Sequence, residues 1–305
     1  MRIGLLDFGV RSENINSMSI IEDVIEYAIK ADELGYNRFW LSEHHNFDPL
    51  SAWFNPEVLL PIIAGVTNKI RVGSGGILLG NHSPYRVAYT FKLLNNLFSN
   101  RIDLGIAKGY TLRNINSPNN SLNSEVNQYN IHEFFEQNIS SLLNYLNNED
   151  ELFDKEIIIP PYKGEIPEIW SLTSSYKNLE KIAEQGLNIS RSIFHNGADI
   201  NYHKDQLESF KEKFISIHNR APKISIAFSG CCNKDEKKAR TLFESYPYAF
   251  VPDNIVGSPS YFEDKLSELE YKYGISEFIF MNVALDPKYR NEGIELIASQ
   301  IKFSE

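Results

Sequence analysis

Eight short apolar runs, each followed by apolar residues at helical spacing, recur from end to end of this 305-residue chain. Repeated strand–helix units are built as a parallel sheet, because each crossover helix returns the chain to start the next strand in the same direction. Eight units are the number that closes into a (β/α)8 barrel, a fold of typically about 250 residues or more. The strand runs are Ile3–Phe8, Arg38–Ser42, Ile70–Leu79, Arg101–Ile106, Pro167–Leu172, Leu187–Ile193, Ile224–Phe228 and Glu277–Met281. Ser19-x-x-Glu22 reads as a capping box opening the first helix, and Gly35 as its stop. Further helices are predicted over Val58–Val66, from Pro84, over Ile131–Leu146, from Leu179, and over Gln206–Ile217, Lys234–Ser245 and Asn291–Ile301.

The competing architecture is an open, doubly wound sheet with a dinucleotide fingerprint after its first strand. No such fingerprint is present. The glycine cluster Gly73–Gly76 has Leu78 where G-x-G-x-x-G requires a glycine. With no internal repeat and no Pro-, Gly- or Ser-rich linker, one domain over residues 1–305 is expected. The net charge of −10 argues against a nucleic-acid or anionic-membrane partner, each of which selects a basic face. No apolar run reaches membrane-spanning length. The two cysteines, Cys231 and Cys232, are adjacent, so no disulfide framework is expected. The first residues carry no signal-peptide pattern, which makes the cytoplasm the expected compartment.

Three segments carry groups suited to chemistry. The second strand run ends abruptly in Glu43, His44 and His45, and strand ends form the working rim of a barrel. Histidine exchanges protons near neutral pH. The alternative is that both imidazoles only hydrogen-bond backbone at a strand end. Neighbours in a strand point to opposite faces, so His44 and His45 are not expected to share a metal. No other ligand pair at metal-binding spacing completes a site, and no metal is expected. Gly75 and Gly76 either form a bulge or present bare peptide to a planar ring. Thr173-Ser174-Ser175, between a strand and a helix, either caps the helix or holds an anion such as a phosphate. Lys108 lies just past the fourth strand and either adds a positive charge to that phosphate or is solvated. Tyr110–Gln128 is a long polar connection, either a substrate-covering lid or a mobile surface loop.

Taken together, Ala31–Asn46, Asn68–Ala88 and Asn100–Gly109, with Ile166–Ser175 and Val256–Leu266, resemble the bacterial luciferase-like family of flavin-dependent oxidoreductases. The resemblance implies a TIM barrel binding FMN, or a deazaflavin in some branches, at the C-terminal ends of its strands. It places His44 on the family's active-site histidine. It places Gly75-Gly76 where the family often has a cis peptide bond beneath the flavin ring. Ser174, Ser175 and Asn178 fall on the flavin phosphate loop. Lys108 stands where many relatives carry an arginine, and keeps the charge without the forked geometry. The activity implied is a monooxygenase using reduced FMN from a partner reductase and oxygen on a small organic or natural-product substrate. Two alternatives remain: an oxygen-independent reductase or dehydrogenase, acting on a modified peptide in some branches, and a flavin-binding protein without catalysis. The family also suggests a homodimer.

Overall fold

Nine parallel strands, eight of them closing on themselves, form the frame of a computed structural model that describes residues 1–45, 50–108, 131–195, 203–248, 252 and 254–304. They are β1 (Arg2–Asp7), β2 (Arg38–Leu41), β3 (Arg71–Leu78), β4 (Ile102–Ala107), β5 (Glu168–Thr173), β6 (Asn188–Ser192), β7 (Ile224–Cys232), β8 (Ile255–Gly257) and β9 (Glu277–Asn282). β1 to β6 pair in chain order, β6 pairs with β7, β7 with β9, and β9 with β1. This is the (β/α)8 barrel expected from the sequence. The short β8 lies outside the count, paired with Gly230–Cys232 of β7. Gly230 permits that approach, since a Cβ there would sit 1.8 Å from the Ile255 carbonyl oxygen.

Helices cover the outside of the barrel. They are α1 (Ser17–Glu33), α2 (Leu60–Val66), α3 (Pro84–Leu97), α4 (Ile131–Asn147), α5 (Glu149–Phe153), α6 (Leu179–Glu184), α7 (Lys204–His218), α8 (Glu236–Glu244), α9 (Pro259–Tyr273) and α10 (Pro287–Gln300). α1 begins one residue after Asn16, whose side chain accepts from the Ser19 amide at 2.9 Å. Ser19 therefore sits at the third helical position and the expected capping box at Ser19 is not the cap. Gly35 ends the helix region at φ +84°, as expected. The loop expected over Tyr110–Gln128 lies outside the described residues. Among the described residues, no helix is long and apolar enough to cross a membrane.

Each barrel strand is buried on both faces, and the two faces feed separate apolar layers. Phe39 and Leu41 join the layer between sheet and helices, with Val24, Ile63 and Phe91. Trp40 turns into the barrel beside Leu6, Trp170, Ala227 and Ile279. The adjacent cysteines divide the same way: Cys231 packs inside and Cys232 outside. Both are free, and burial pushes each thiol up to about 12.

The inside of the barrel is polar at its N-terminal end. Arg38, 2% exposed, donates to Asp103 at 2.6 Å and to Glu277, with Glu168 at 3.4 Å. Burial works against the guanidinium's charge, and these three carboxylates outweigh it. Asp103 also accepts from Arg71 and from the Trp40 indole N–H at 3.0 Å. Above this network Trp40 and Trp170 meet edge to face, 5.4 Å between ring centroids. The tryptophans close the barrel from below and leave its C-terminal mouth open.

Candidate active site

The open mouth is a cavity of about 620 Å³. Its floor and walls are apolar: Leu6, Phe8, Trp40, Leu172, Phe194 and Ile279. Its polar groups come from strand ends, as barrel construction dictates. Glu43, His44 and His45 follow β2, Ser174 follows β5, Ser190 and Ser192 project from β6, and His195 follows it.

His44 stands with its ring 4.6 Å from that of Phe8, and its Nδ1 lies 3.1 Å from Ser42 Oγ. Neighbouring His45 also lines the cavity but has a different partner. Its Nε2 meets Glu43 Oε1. The same oxygen is 2.6 Å from His82 Nε2, and Oε2 accepts from the Leu78 amide at 2.9 Å. Glu43, His45 and His82 are thus a cluster of metal-ligating side chains that spacing along the chain does not reveal, because His82 arrives from beyond β3. Two ligands on one ion, each at about 2.0–2.2 Å, stand roughly 3 Å or more apart. The contacts here are shorter, and are those of two imidazole N–H groups donating to one carboxylate.

Burial alone raises the Glu43 carboxyl, but the hydrogen bonds from His45, His82 and the Leu78 amide outweigh it and hold it below its ordinary 4.5. Burial alone lowers His82, and the hydrogen bond and charge of Glu43 raise it above 6.5. The sign of the linkage follows for each group. Glu43's contribution is present above 4.5 and is lost as pH falls through its lowered folded value. His82's is present below 6.5 and is lost as pH rises through its raised folded value. The stability gap between the wild type and His82→Gln is therefore expected to be widest between about pH 4.5 and 6.5. Urea midpoints from pH 4 to 9 test this, and a gap independent of pH contradicts it.

Gly75 and Gly76 form part of the cavity wall, and the peptide between them is cis, as the resemblance implied. The register between β3 and β4 shifts between Ser74 and Ile77, so the bulge reading holds as well. Gly76 has no room for a side chain, and Gly75 has room only if Leu6 moves. A Cβ on Gly75 would fall 2.7 Å from Leu6 Cδ1, and one on Gly76 2.6 Å from Leu172 Cδ1 and 2.7 Å from the Gly105 carbonyl oxygen.

The expected phosphate residues are not all gathered in the cavity. Thr173 and Ser174 line it. Ser175 lies in the turn beyond, where its amide donates to Thr173 Oγ1 at 3.2 Å and its Oγ accepts from the Lys177 amide at 3.3 Å. Asn178, at φ +67°, lines a separate groove shared with Glu136 and Lys181. Lys108 follows Ala107, a cavity residue. Burial pushes its ammonium down, and the Glu136 carboxylate opposes the shift.

His195 was not singled out from sequence, yet it lines the cavity, stacked 4.5 Å from Phe194 with its Nδ1 against Ser192 Oγ. Burial lowers its pKa below the ordinary 6.5 and so favours the uncharged imidazole.

The family model described as luciferase-like monooxygenase matches residues 1–274. A luciferase-like monooxygenase of Escherichia coli is 25% identical over 309 residues, covering 99% of this chain and 89% of that one. Among solved structures, the oxygenating constituent of 3,6-diketocamphane monooxygenase from Pseudomonas putida, in complex with FMN, superposes with a TM-score of 0.77 at 19% identity. That match covers 99% of this chain and 98% of the other. An F420-dependent secondary alcohol dehydrogenase superposes with a TM-score of 0.73 at 13% identity, covering 98% of each chain. At these identities the two structures establish a shared fold.

Proposed function

Because this chain belongs to the luciferase-like monooxygenase family, and so to the flavin-dependent oxidoreductases, we propose that it is a two-component monooxygenase. Reduced FMN would come from a separate reductase, and a small organic molecule would be oxidised with oxygen. The observation that carries this reading is the shared cavity. One hollow has His44 and the Gly75-Gly76 peptide on its wall, with the Thr173–Ser174 turn at its rim. A volume of about 620 Å³ suits a flavin ring, and peptide without side chains offers it a flat seat. When bound, the reduced flavin supplies the two electrons that let one oxygen atom enter the substrate while the other leaves as water.

The chain's own residues do the rest. Leu6, Trp40, Leu172 and Ile279 keep water from the reacting centre and strengthen every electrostatic contact made there. Ser174, with Ser175, Asn178 and Lys108 beyond the rim, would receive the phosphate tail. His44 would move a proton at Nε2, since Nδ1 is engaged by Ser42. Oxygen dependence tests the reading. Product should form from reduced FMN and substrate only when oxygen is present. Full-rate turnover in its absence would instead establish hydride transfer, the chemistry for which F420-type deazaflavins are suited.

The exposed faces of α2 and α3 support a homodimer. Val58, Ile62 and Val66 recur every fourth residue, and so do Tyr85, Tyr89, Leu93 and Leu97 on α3. All but Tyr89 are exposed, Leu97 by 63%. The two helices are neighbours, since a Cβ on Gly65 would lie 3.9 Å from Phe98. Exposed apolar stripes of this kind on neighbouring helices favour a protein contact. The double variant Ile62→Asp/Leu97→Asp is expected to sediment as a monomer and the wild type as a dimer. A monomeric wild type removes the assignment.

A further inference from the structure

Arg191 is a buried cation for which the site as described has no use. It lies in β6, 3% exposed, between Ser190 and Ser192, which both line the cavity. Strand alternation therefore carries its side chain to the outer side of the barrel wall. There its guanidinium carbon stands 4.2 Å from the centroid of the Tyr176 ring. Nε, Nη1 and Nη2 are all buried, and none meets a hydrogen-bond acceptor among the described residues. Buried arginines are ordinarily paired with carboxylates, as Arg38 and Arg290 are here. A cation–π contact satisfies none of the five N–H donors of the fork.

Its place in the fold says what the fork is for. Arg191 is in register with Thr173, the first residue of the turn between β5 and α6. Tyr176, on which it stacks, follows that same turn. Of the turn's hydroxyls, Thr173 Oγ1 donates to the Ser175 carbonyl oxygen at 2.8 Å and Ser175 Oγ accepts from the Lys177 amide, and none of them carries a charge. Lys108 already has the Glu136 carboxylate near it, which favours its charged form. Arg191 is thus a forked cation with no carboxylate partner among the described residues, stacked on the residue that follows the Ser174–Ser175 turn.

We infer that Arg191 is the fixed cation of an anion site at the β5–α6 turn, and that the anion is the phosphate tail of the flavin. This rests on the flavin reading above and adds a residue to it. An arginine on the neighbouring strand supplies the forked recognition that Lys108 cannot.

The test compares FMN with riboflavin, which lacks the phosphate, on the full chain by calorimetric titration. The wild type should prefer FMN by about ten- to hundredfold, the worth of hydrogen bonds to a charged group. Arg191→Met should lose most of that preference and leave riboflavin affinity unchanged. Arg191→Lys should fall between. Inorganic phosphate should compete with FMN on the wild type and not with riboflavin. Thermal unfolding supplies a second readout. Without ligand, Arg191→Met should melt no lower than the wild type, because it removes an unpaired buried charge, and added FMN should raise its melting point less. An Arg191→Met protein that keeps its preference for FMN, or a wild type that takes both flavins equally, overturns the role of Arg191 alone. A wild type that takes up neither flavin overturns the flavin reading, and this inference with it.

Discussion

Replacing His44 by alanine is expected to lower turnover by roughly 10²- to 10⁴-fold, the usual contribution of a positioned acid–base group, while leaving flavin affinity at the wild-type level. The split follows from the construction of the site. His44 projects from the end of β2 into the cavity and is held between the Phe8 ring and Ser42 Oγ. The Gly75-Gly76 wall and the β5–α6 turn, which would carry the weight of cofactor binding, are separate segments. Their shape does not depend on the imidazole. A glutamine at the same place keeps polarity without a proton exchangeable near neutral pH, and should be nearly as poor as alanine. Turnover within a few-fold of wild type in both variants would leave His44 as a strand-end side chain. Loss of flavin affinity together with turnover would move its role from proton handling to binding.

Arg38→Met is expected to cost about 3–5 kcal/mol of stability, the usual penalty for removing one partner of a buried ion pair. Asp103 is fully buried and Glu277 2% exposed, and both face Arg38 inside the barrel. Asp103 keeps Arg71, and Glu277 keeps the half-exposed Arg2 at 3.4 Å. Neither replaces a cation lying between them. Urea unfolding with an unchanged slope and a lower midpoint measures the loss. A loss under about 1 kcal/mol would place Arg38 in the class of solvated pairs. The companion variant Arg38→Met/Asp103→Leu/Glu277→Leu removes the stranded charges too, and should recover much of the loss. The Trp40 indole, which donates to Asp103, would then lack its acceptor, so full recovery is not expected.

The barrel was legible because its strands are buried on both faces and read as unbroken apolar runs. Phe39–Leu41 is the plainest case, with all three residues buried. α9 escaped notice for the opposite reason. Its buried residues are only Phe262, Leu266 and Tyr273, a thin stripe in a charged sequence, although Ser258 caps it and Pro259 opens it. β8 is three residues long and carries no pattern of its own.

The site divides along a similar line. His44, Gly75, Gly76 and Ser174 line one cavity because each sits at the end of a strand, a position that sequence reveals. Asn178 and Lys108 do not line the hollow, and Asn178 lines a separate groove. The Glu43–His82 pair and the isolation of Arg191 depend on segments brought together only by the tertiary fold, which no local spacing encodes, whereas the Ser192–His195 contact joins residues three apart.

A crystal structure of this protein grown with FMN tests the central claim most directly. The account predicts the isoalloxazine ring in the mouth of the barrel, against the Gly75-Gly76 peptide and within reach of His44, with its phosphate at the β5–α6 turn beside Arg191. A ring bound elsewhere on the molecule, or crystals that take up no flavin at saturating concentration, would contradict it.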